Sequence, residues 1–225
     1  MHKKILIILC LGFTISKIQA QNSAENQLGT WYMLDASHQL SKKLKLTTNA
    51  HFRYFEFATE YQQEIYRLGL NYSFNKNINV TGGVVYSIKD TSYKTAAPDL
   101  YEFRFYQDLN IQGTRGKIDV KHRVRLAQRF TRQNFIDETK HRIRYGLFLK
   151  YPIFKNWNLY AFNEVFIKFV TKSFGENRTG AGFIRKINNH LKLRLGYFHI
   201  KFSESSLNRL QIGIILNSDF TKKII

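Results

Sequence analysis

The chain has 225 residues, of which 44% are hydrophobic and 15% aromatic, and its formal net charge is +19. The length allows one domain or two small ones, and the apolar content excludes a disordered basic tail. A charge balance this positive usually indicates nucleic acid or anionic lipid as a partner.

Residues 1–20 have the pattern of a secretory signal. Residues 2–4 are basic, residues 5–13 form an apolar run, and cleavage is expected between Ala20 and Gln21. The apolar run is too short to span a bilayer, which argues against the alternative of a retained membrane anchor.

The only cysteine, Cys10, lies within the predicted signal, so the mature chain has no thiol. An exported protein without disulfides must obtain its stability from backbone pairing and burial. Export also argues against nucleic acid as a partner.

From residue 28 onward, apolar and polar residues alternate in runs that are separated by turns, which predicts β-strands. A first, short run covers residues 28–36. Longer runs follow from residue 44, and each predicts a strand with one apolar and one polar face. The clearest example is residues 118–151, a predicted hairpin whose two strands both have an apolar face and a cationic face.

The connections between these runs alternate in length. Tight turns are expected near residues 41–43, 75–77, 112–116, 152–156 and 188–190, and longer loops near 56–62, 90–99, 131–138, 170–177 and 203–207. Pro152 marks one of the turns, because proline cannot donate to a strand ladder. Short turns at one end and longer loops at the other are typical of a transmembrane β-barrel.

Aromatic residues stand at both ends of the apolar faces, as in the interfacial girdles of such barrels. They are Tyr54, Tyr86, Tyr101 and Phe130 near the long loops, and Tyr72, Phe74, Tyr151 and Trp157 near the short turns. A soluble barrel or sandwich would show the same alternation and is the alternative. However, strands this long are unusual in a small sandwich.

We therefore predict an all-β protein, an antiparallel up-and-down transmembrane β-barrel of the bacterial outer membrane. Residues 44–225 would form about ten strands, an even number that brings both ends of the barrel chain to the short-turn side. Residues 21–43 hold one extra strand. That strand either lies against or inside the barrel mouth, or pairs with an undetected partner to give twelve strands.

Short motifs spread over nearly the whole mature chain carry a family resemblance. They are Trp31-Tyr32, Phe52-Arg53-Tyr54, the strand at residues 63–70, Asn163-Glu164-Val165 and Glu176-Asn177-Arg178. With them the chain resembles the exported family catalogued as domain of unknown function 2490, which is common in Bacteroidetes-type bacteria. The resemblance implies an outer-membrane barrel and assigns no catalytic or binding residues.

Basic residues concentrate on the polar faces of the predicted hairpin. They are Lys121, Arg123, Arg125, Arg129, Arg142, Arg144 and Lys150. Like charges on paired strands are destabilising unless carboxylates or bound anions intervene, and Glu102, Asp108 and Glu164 on the flanking strands are placed to pair with them. The cluster has three interpretations: a structural network that fills the lumen, a passage or pocket for small anionic solutes, or a site for lipopolysaccharide phosphates.

No motif predicts a catalytic, cofactor-binding or metal-binding residue. The histidines lack metal-ligand spacing, and no nucleophile elbow or phosphate loop occurs. A lipid-modifying enzyme stays open as an alternative, because residues such as Ser87, His141 and Asp137 could meet in space. A structural or partner-binding barrel with a plugged lumen is the other alternative. We expect no cofactor, and we expect outer-membrane lipid and lipopolysaccharide as surroundings.

Overall fold

A computed structural model of the protein describes residues 23–169 and 173–221, so the predicted signal and its cleavage site at Ala20 and Gln21 lie outside the described residues. Within these ranges the chain forms one short 3-10 helix, Ala24–Asn26, and eleven β-strands. None of the helices in this part of the chain is long and apolar enough to span a membrane.

The strands follow one another along the chain. They are β1 (Leu28–Gln39), β2 (Leu44–Tyr54), β3 (Tyr61–Ser73), β4 (Ile78–Lys89), β5 (Leu100–Arg115), β6 (Ile118–Gln133), β7 (Ile136–Phe154), β8 (Trp157–Lys168), β9 (Ser173–Lys186), β10 (Leu191–Lys201) and β11 (Ser206–Asp219).

The sheet closes on itself as a barrel in the order β1-β11-β10-β9-β8-β7-β6-β5-β4-β3-β2. The predicted all-β barrel is confirmed, but the expected count of ten or twelve strands is wrong. An odd count requires one parallel pair of neighbours, and that pair is β1 with β11, in register from Leu28 opposite Asn208 to Gln39 opposite Asp219.

The first strand is therefore part of the wall and neither lies in the barrel mouth nor needs an undetected partner. The wall begins at Leu28 and not at residue 44 as expected. Because β1 runs toward the short turns, the chain enters the barrel at the long-loop end and leaves β11 at the short-turn end. The expectation that both ends lie on the short-turn side is wrong for the same reason.

The start of β1 is held against β11 by a buried arginine. Arg209 of β11 is fully buried and donates hydrogen bonds to the carbonyl oxygens of Gln27 and Asn208. Gly29 leaves space for it, because a Cβ there would lie 2.8 Å from Arg209 Cζ and 2.5 Å from the Tyr54 carbonyl oxygen. Any larger residue at position 29 would collide with these atoms and displace β1.

Four connections differ from the expected ones. Residues 112–115, expected in a tight turn, belong to β5, and residues 173–177, expected in a long loop, begin β9. The polar stretch 131–138, expected to be a loop, continues β6 and β7 into a projecting hairpin with a turn at Asn134 and Phe135. Both turn residues have positive φ, 49° and 64°, as a tight hairpin turn of the twist-matching type requires. At the other end β7 continues through Pro152 to Phe154, with a shift of register there.

Burial along the strands is opposite to that of a water-soluble core. In β5 the exposed fraction alternates from residue to residue, for example 2% for Glu102 and 41% for Phe103. Since side chains alternate between the faces of a strand, the charged residues of β5, such as Glu102 and Arg104, point into the barrel, and Phe103 and Phe105 point outward. The polar side chains that could carry a function therefore meet in the interior.

Candidate functional site

The interior contains the basic residues singled out in the sequence and several others. Lys121, Arg123, Arg125 and Arg129 of β6 and Arg142, Arg144 and Lys150 of β7 share the inward parity of their strands. Further basic residues with inward parity come from the rest of the wall: Arg53, Arg67, Arg104, Arg178, Arg194 and Arg209. The sequence pattern of a single hairpin could not show that this second group lies near the first, because the two groups come together only when the sheet closes.

Side chains fill the interior near the long loops, in what we call the packed half: Glu102, Arg104, Arg129, Phe166 and Glu176. Glu102 accepts hydrogen bonds from Arg104 Nε, at 2.7 Å, and from Nε and Nη2 of Arg129, at 2.7 and 2.8 Å. Two guanidinium groups thus share one buried carboxylate.

Phe166 is fully buried, and three guanidinium groups lie close to its ring. The Cζ atoms of Arg142, Arg144 and Arg178 lie 4.8, 4.7 and 4.5 Å from the centre of its ring. Arg178 also pairs with Glu176 at 2.5 Å. The π system of the ring attracts these guanidinium groups, which is the cation–π arrangement.

Toward the short turns the interior contains a cavity of about 1100 Å³, which we call the chamber. It reaches from Trp31, the fourth residue of β1, to Gly113 and Thr114 at the short-turn end. Among the described residues, ten cationic side chains and four carboxylates line it: Arg53, Arg67, Lys76, Lys121, Arg123, Arg125, Arg144, Lys150, Arg178 and Arg194, with Asp35, Asp108, Asp119 and Glu164. The lining is therefore strongly positive.

Two of the three carboxylates proposed as counter-charges lie in the chamber, and the third, Glu102, lies in the packed half. Asp108 accepts two hydrogen bonds from Arg125, from Nε and Nη2, both 2.5 Å long. Glu164 pairs with Arg123 and lies 3.5 Å from Arg144 Nη1. These pairs neutralise part of the β6–β7 cluster.

A further carboxylate, Asp35 of β1, was not foreseen. Its Oδ1 lies 2.8 Å from His51 Nε2 and 2.7 Å from Asn49 Nδ2, and its Oδ2 accepts from Arg194 at 3.0 Å. The group joins β1, β2 and β10 across the seam. No sequence signal could have shown it, because it depends on β1 being in the wall.

Arg53 and Arg67 are the arginines of the chamber that lack a carboxylate partner among the described residues. Arg53 donates to Gln63 Oε1 at 2.8 Å and Arg67 to Asn49 Oδ1 at 3.2 Å. Within the described ranges, neither lies within 4.0 Å of a carboxylate oxygen, and the buried Nε of each has no acceptor. Both guanidinium groups therefore carry a positive charge that no nearby carboxylate neutralises, and each has an Nε–H donor without an acceptor.

Aromatic rings contact these arginines and their cationic neighbours. The Cζ atoms of Arg53 and Arg178 lie 3.5 and 5.0 Å from the ring centre of Trp31. Those of Arg67 and Arg125 lie 5.7 and 4.4 Å from the ring centre of Tyr106. The rings reduce the repulsion without removing the net charge.

The structure does not bring the enzyme candidates together. Ser87 is buried inside the barrel, where it is close to Gln63. His141 has the outward parity of β7, and Asp137 is exposed and pairs with Arg132 at 2.7 Å. In the part of the chain that is described, no group of three or more His, Cys, Asp or Glu could hold a metal ion.

The aromatic residues singled out at the strand ends lie on the outer face. All but Tyr54, which is half-buried, are exposed: Tyr72, Phe74, Tyr86, Tyr101, Phe130, Tyr151 and Trp157. Their role as interfacial girdles stays a prediction.

Two long loops contact each other outside the barrel. Glu56 of the loop after β2 accepts hydrogen bonds from Tyr93 Oη and Thr59 Oγ1, at 2.6 and 2.8 Å, and pairs with Lys94 Nζ at 2.8 Å. Hydrogen bonds from Lys94, Tyr93 and Thr59 lower the pKa of Glu56 from 4.5 to about 2, and the bond to Glu56 raises the pKa of Lys94. The contact keeps the loops after β2 and β4 together.

Comparisons with known proteins give a family and no activity. No curated protein and no solved structure matches the chain. A family model described as protein of unknown function (DUF2490) matches residues 28–211, from the first residue of β1 into β11, in agreement with the resemblance read from the sequence. The chain belongs to the DUF2490 family.

Proposed function

We propose that the protein is an outer-membrane barrel that binds small anionic solutes in its chamber and does not pass them through the barrel. The observation that carries this proposal is the cationic excess of a cavity of about 1100 Å³ that ends at a layer of packed side chains. The solute would enter from the short-turn end, the periplasmic side of such barrels.

The distribution of apolar residues supports a membrane setting. Large apolar side chains such as Leu68, Phe105 and Leu195 are exposed on the outer face, whereas Arg104, Asp108 and other charged groups are buried inside. Lipid would cover the outer face, and the closed sheet leaves no edge with unpaired backbone groups. The expected lipopolysaccharide contact would be at the long-loop end.

Charge balance supports anion binding. Cations held close together in a confined space are destabilising unless counter-charges are present, and carboxylates of the chain compensate only part of the chamber. Arg53 and Arg67 have buried Nε–H groups without an acceptor. Guanidinium groups with free donors bind oxyanions by charge-assisted, often paired, hydrogen bonds.

The packed half argues against passage. Glu102, Phe166 and Glu176 are all buried, and none of them lines the chamber. A solute moving from the chamber to the long loops would have to displace this layer together with its ion pairs.

Binding can be tested by titrating the full-length refolded protein with inorganic phosphate in a calorimeter. We expect saturable binding that falls at least about tenfold in an Arg53→Gln, Arg67→Gln variant, because each lost charge-assisted hydrogen bond contributes about 1.5–3 kcal/mol. Arg132→Gln, on the exposed hairpin, is the matched control. Phosphate binding that is absent, or that is equal in all three proteins, would refute the proposal.

Passage can be tested by conductance in a planar bilayer. We expect no steady current from the inserted wild type and a steady current from a Phe166→Ala, Arg129→Ala variant, in which the packed half is reduced. A steady wild-type current would show an open pore and contradict this part of the proposal.

Location and orientation can be tested with single cysteines, since Cys10 lies in the predicted signal. Ala96→Cys in the loop after β4 should react with a membrane-impermeant maleimide on intact cells, and Lys117→Cys in a short turn should react only after lysis. Equal labelling of both residues on intact cells, or labelling of neither, would contradict the proposed placement.

A partner-binding barrel is a second candidate, favoured by the tip of the β6–β7 hairpin. Phe135 is 98% exposed and Ile136 65% exposed. Gln133, beside them, donates to Thr91 Oγ1 and to the Pro98 carbonyl oxygen, so the tip is tied to the neighbouring loop. Co-purification of another envelope protein that is lost in Phe135→Ser would support this candidate, and unchanged co-purification would count against it.

A further inference from the structure

The two sides of the chamber differ in chemistry. One side, on β7 and β8, consists of the aromatic rings of Phe148, Phe162 and Tyr160. Successive rings are nearly parallel, with centroids 6.2 Å apart and 21° between planes for the first pair, and 6.4 Å and 11° for the second. At these distances the rings are offset, so together they cover a strip of wall.

Glycines explain why these rings lie along the wall and do not point across the barrel. A Cβ on Gly196 would collide with Tyr160 Oη, and one on Gly182 would lie 2.8 Å from the same atom. A Cβ on Gly146 would lie 2.7 Å from a Phe148 ring carbon, and one on Gly180 would lie 2.9 Å from a Phe162 ring carbon. Each ring thus occupies the space that a side chain on a glycine would fill, which turns a ring face toward the chamber.

Polar contacts hold the two ends of this strip. Tyr160 donates a hydrogen bond to Gln211 Oε1 at 2.7 Å. Lys121 Nζ and Arg123 Cζ lie 4.7 and 4.8 Å from the centre of the Phe148 ring. The strip is therefore apolar in the middle and cationic at its β6 edge.

The other side of the chamber, on β2 and β3, carries Arg53 and Arg67, the chamber arginines without a carboxylate partner among the described residues. In the strand order of the barrel, β2 and β3 lie across from β7 and β8. A ligand in the chamber could therefore contact a flat apolar surface with one part and guanidinium donors with another.

Resting on the proposed function, we infer that the natural ligand is a phosphate monoester of a molecule with a planar ring. A lone phosphate would leave most of the cavity of about 1100 Å³ and the whole aromatic strip unused. The guanidinium forks suit the phosphate oxygens, and the strip suits the face of a ring. Ligand sites of this kind combine apolar walls with a few placed polar groups.

The inference can be tested with three probes: 1-naphthyl phosphate, cyclohexyl phosphate and inorganic phosphate. Each is titrated into the full-length refolded protein in a calorimeter. We expect 1-naphthyl phosphate to bind at least about tenfold more tightly than inorganic phosphate, because its ring can stack on an aromatic side chain. Cyclohexyl phosphate should fall between the two, because it has an apolar body but no planar face.

Two variants assign the effect to the two sides. Phe148→Leu should lower the affinity for 1-naphthyl phosphate by a larger factor than the affinity for inorganic phosphate. Arg67→Gln should weaken all three probes by a similar factor. The comparison of probes in the wild type needs no variant, so a misfolded Phe148→Leu protein would leave the test intact.

The outcomes separate this inference from the proposed function. Equal affinities of 1-naphthyl and inorganic phosphate, or of 1-naphthyl and cyclohexyl phosphate, would overturn the role of the aromatic strip while anion binding stands. If none of the probes binds to the folded protein, the proposed function itself fails.

Discussion

The two halves of the barrel interior are built from the same residue types but balance their charges differently. In the packed half, Glu102 pairs with Arg104 and Arg129, and Glu176 pairs with Arg178, which also lines the chamber. In the chamber, cationic side chains outnumber carboxylates, and Arg53 and Arg67 have only amide oxygens as hydrogen-bond acceptors.

This difference separates stabilising charges from charges available to a ligand. When a buried arginine is paired with a carboxylate, removing either partner leaves the other buried and unpaired, which is destabilising. An arginine with spare donors contributes little to the fold and is ready for an anion. The comparison therefore predicts opposite effects of substitutions at paired and at unpaired arginines.

The largest expected effect is in the packed half. Glu102→Ala should lower the free energy of unfolding by about 3–5 kcal/mol, because it leaves two buried guanidinium groups without their carboxylate. Urea unfolding in detergent, followed by tryptophan fluorescence, measures it.

Asp119→Ala, at the chamber mouth, is the matched control. Asp119 and Lys150 form an ion pair at 2.8 Å whose side chains are 49% and 46% exposed, so the loss should stay below about 1 kcal/mol. Equal losses in the two variants would mean that the two halves do not differ in the way described.

The next effect concerns the wall of the chamber. Gly69→Ala should lower the free energy of unfolding by about 1–3 kcal/mol, because a Cβ there would collide with Tyr106 Oη and lie 2.9 Å from Thr47 Oγ1. Gly82→Ala, on the adjacent strand, is the control, since its Cβ would meet no atom within 4 Å. If both variants unfold at the same urea concentration, Tyr106 is not held against the wall as described.

The alternation of apolar and polar residues predicted most of the strands of the wall, because a strand with one outward and one inward face has residues of the two kinds in turn. In β5, for instance, every second residue from Tyr101 to Ile111 faces outward, as expected. The parallel pairing of β1 with β11 has no such record, since strand direction depends on how the ends of the sheet meet. The projecting hairpin was missed because its paired charges, such as Arg132 and Asp137, resemble loop residues.

The candidate site could be predicted only within single hairpins. The alternation in β6 and β7 was enough to gather Arg123, Arg125 and Arg144 on one face. Arg53 and Asp35 join them only through closure of the barrel, and the division into a packed half and a chamber depends on which side chains reach across it. Those contacts join strands far apart in the chain, where local pattern carries no information.

A smaller effect is expected for an arginine of the chamber. Arg67→Met should leave the free energy of unfolding unchanged or raise it by about 1 kcal/mol, because a cation without a carboxylate partner is replaced by an apolar side chain of similar length. Arg125→Met is the control and should be destabilising, since it leaves the buried carboxylate of Asp108 without its partner. Destabilisation of equal size in both would show that Arg67 supports the fold and is not held for a ligand.

The smallest effect lies outside the lumen, in the contact between Glu56 and Lys94. The folded-state pKa of Glu56 is lowered from 4.5 to about 2, so the contact is fully present above pH 4.5 and is lost as the pH falls through about 2. A spin label on Ala96→Cys, in the same loop as Lys94, should become more mobile over that interval.

The matched variants test whether this transition belongs to Glu56 and not to the ion pairs of the interior. Glu56→Gln should leave the label mobile at every pH, because the amide cannot form the ion pair with Lys94. Lys94→Gln should move the transition upward toward pH 4.5, because the first of the hydrogen bonds that lower the pKa is lost. A transition that persists unchanged in Glu56→Gln would assign it to acid unfolding of the barrel, where Glu102 and Asp108 would lose their ion pairs.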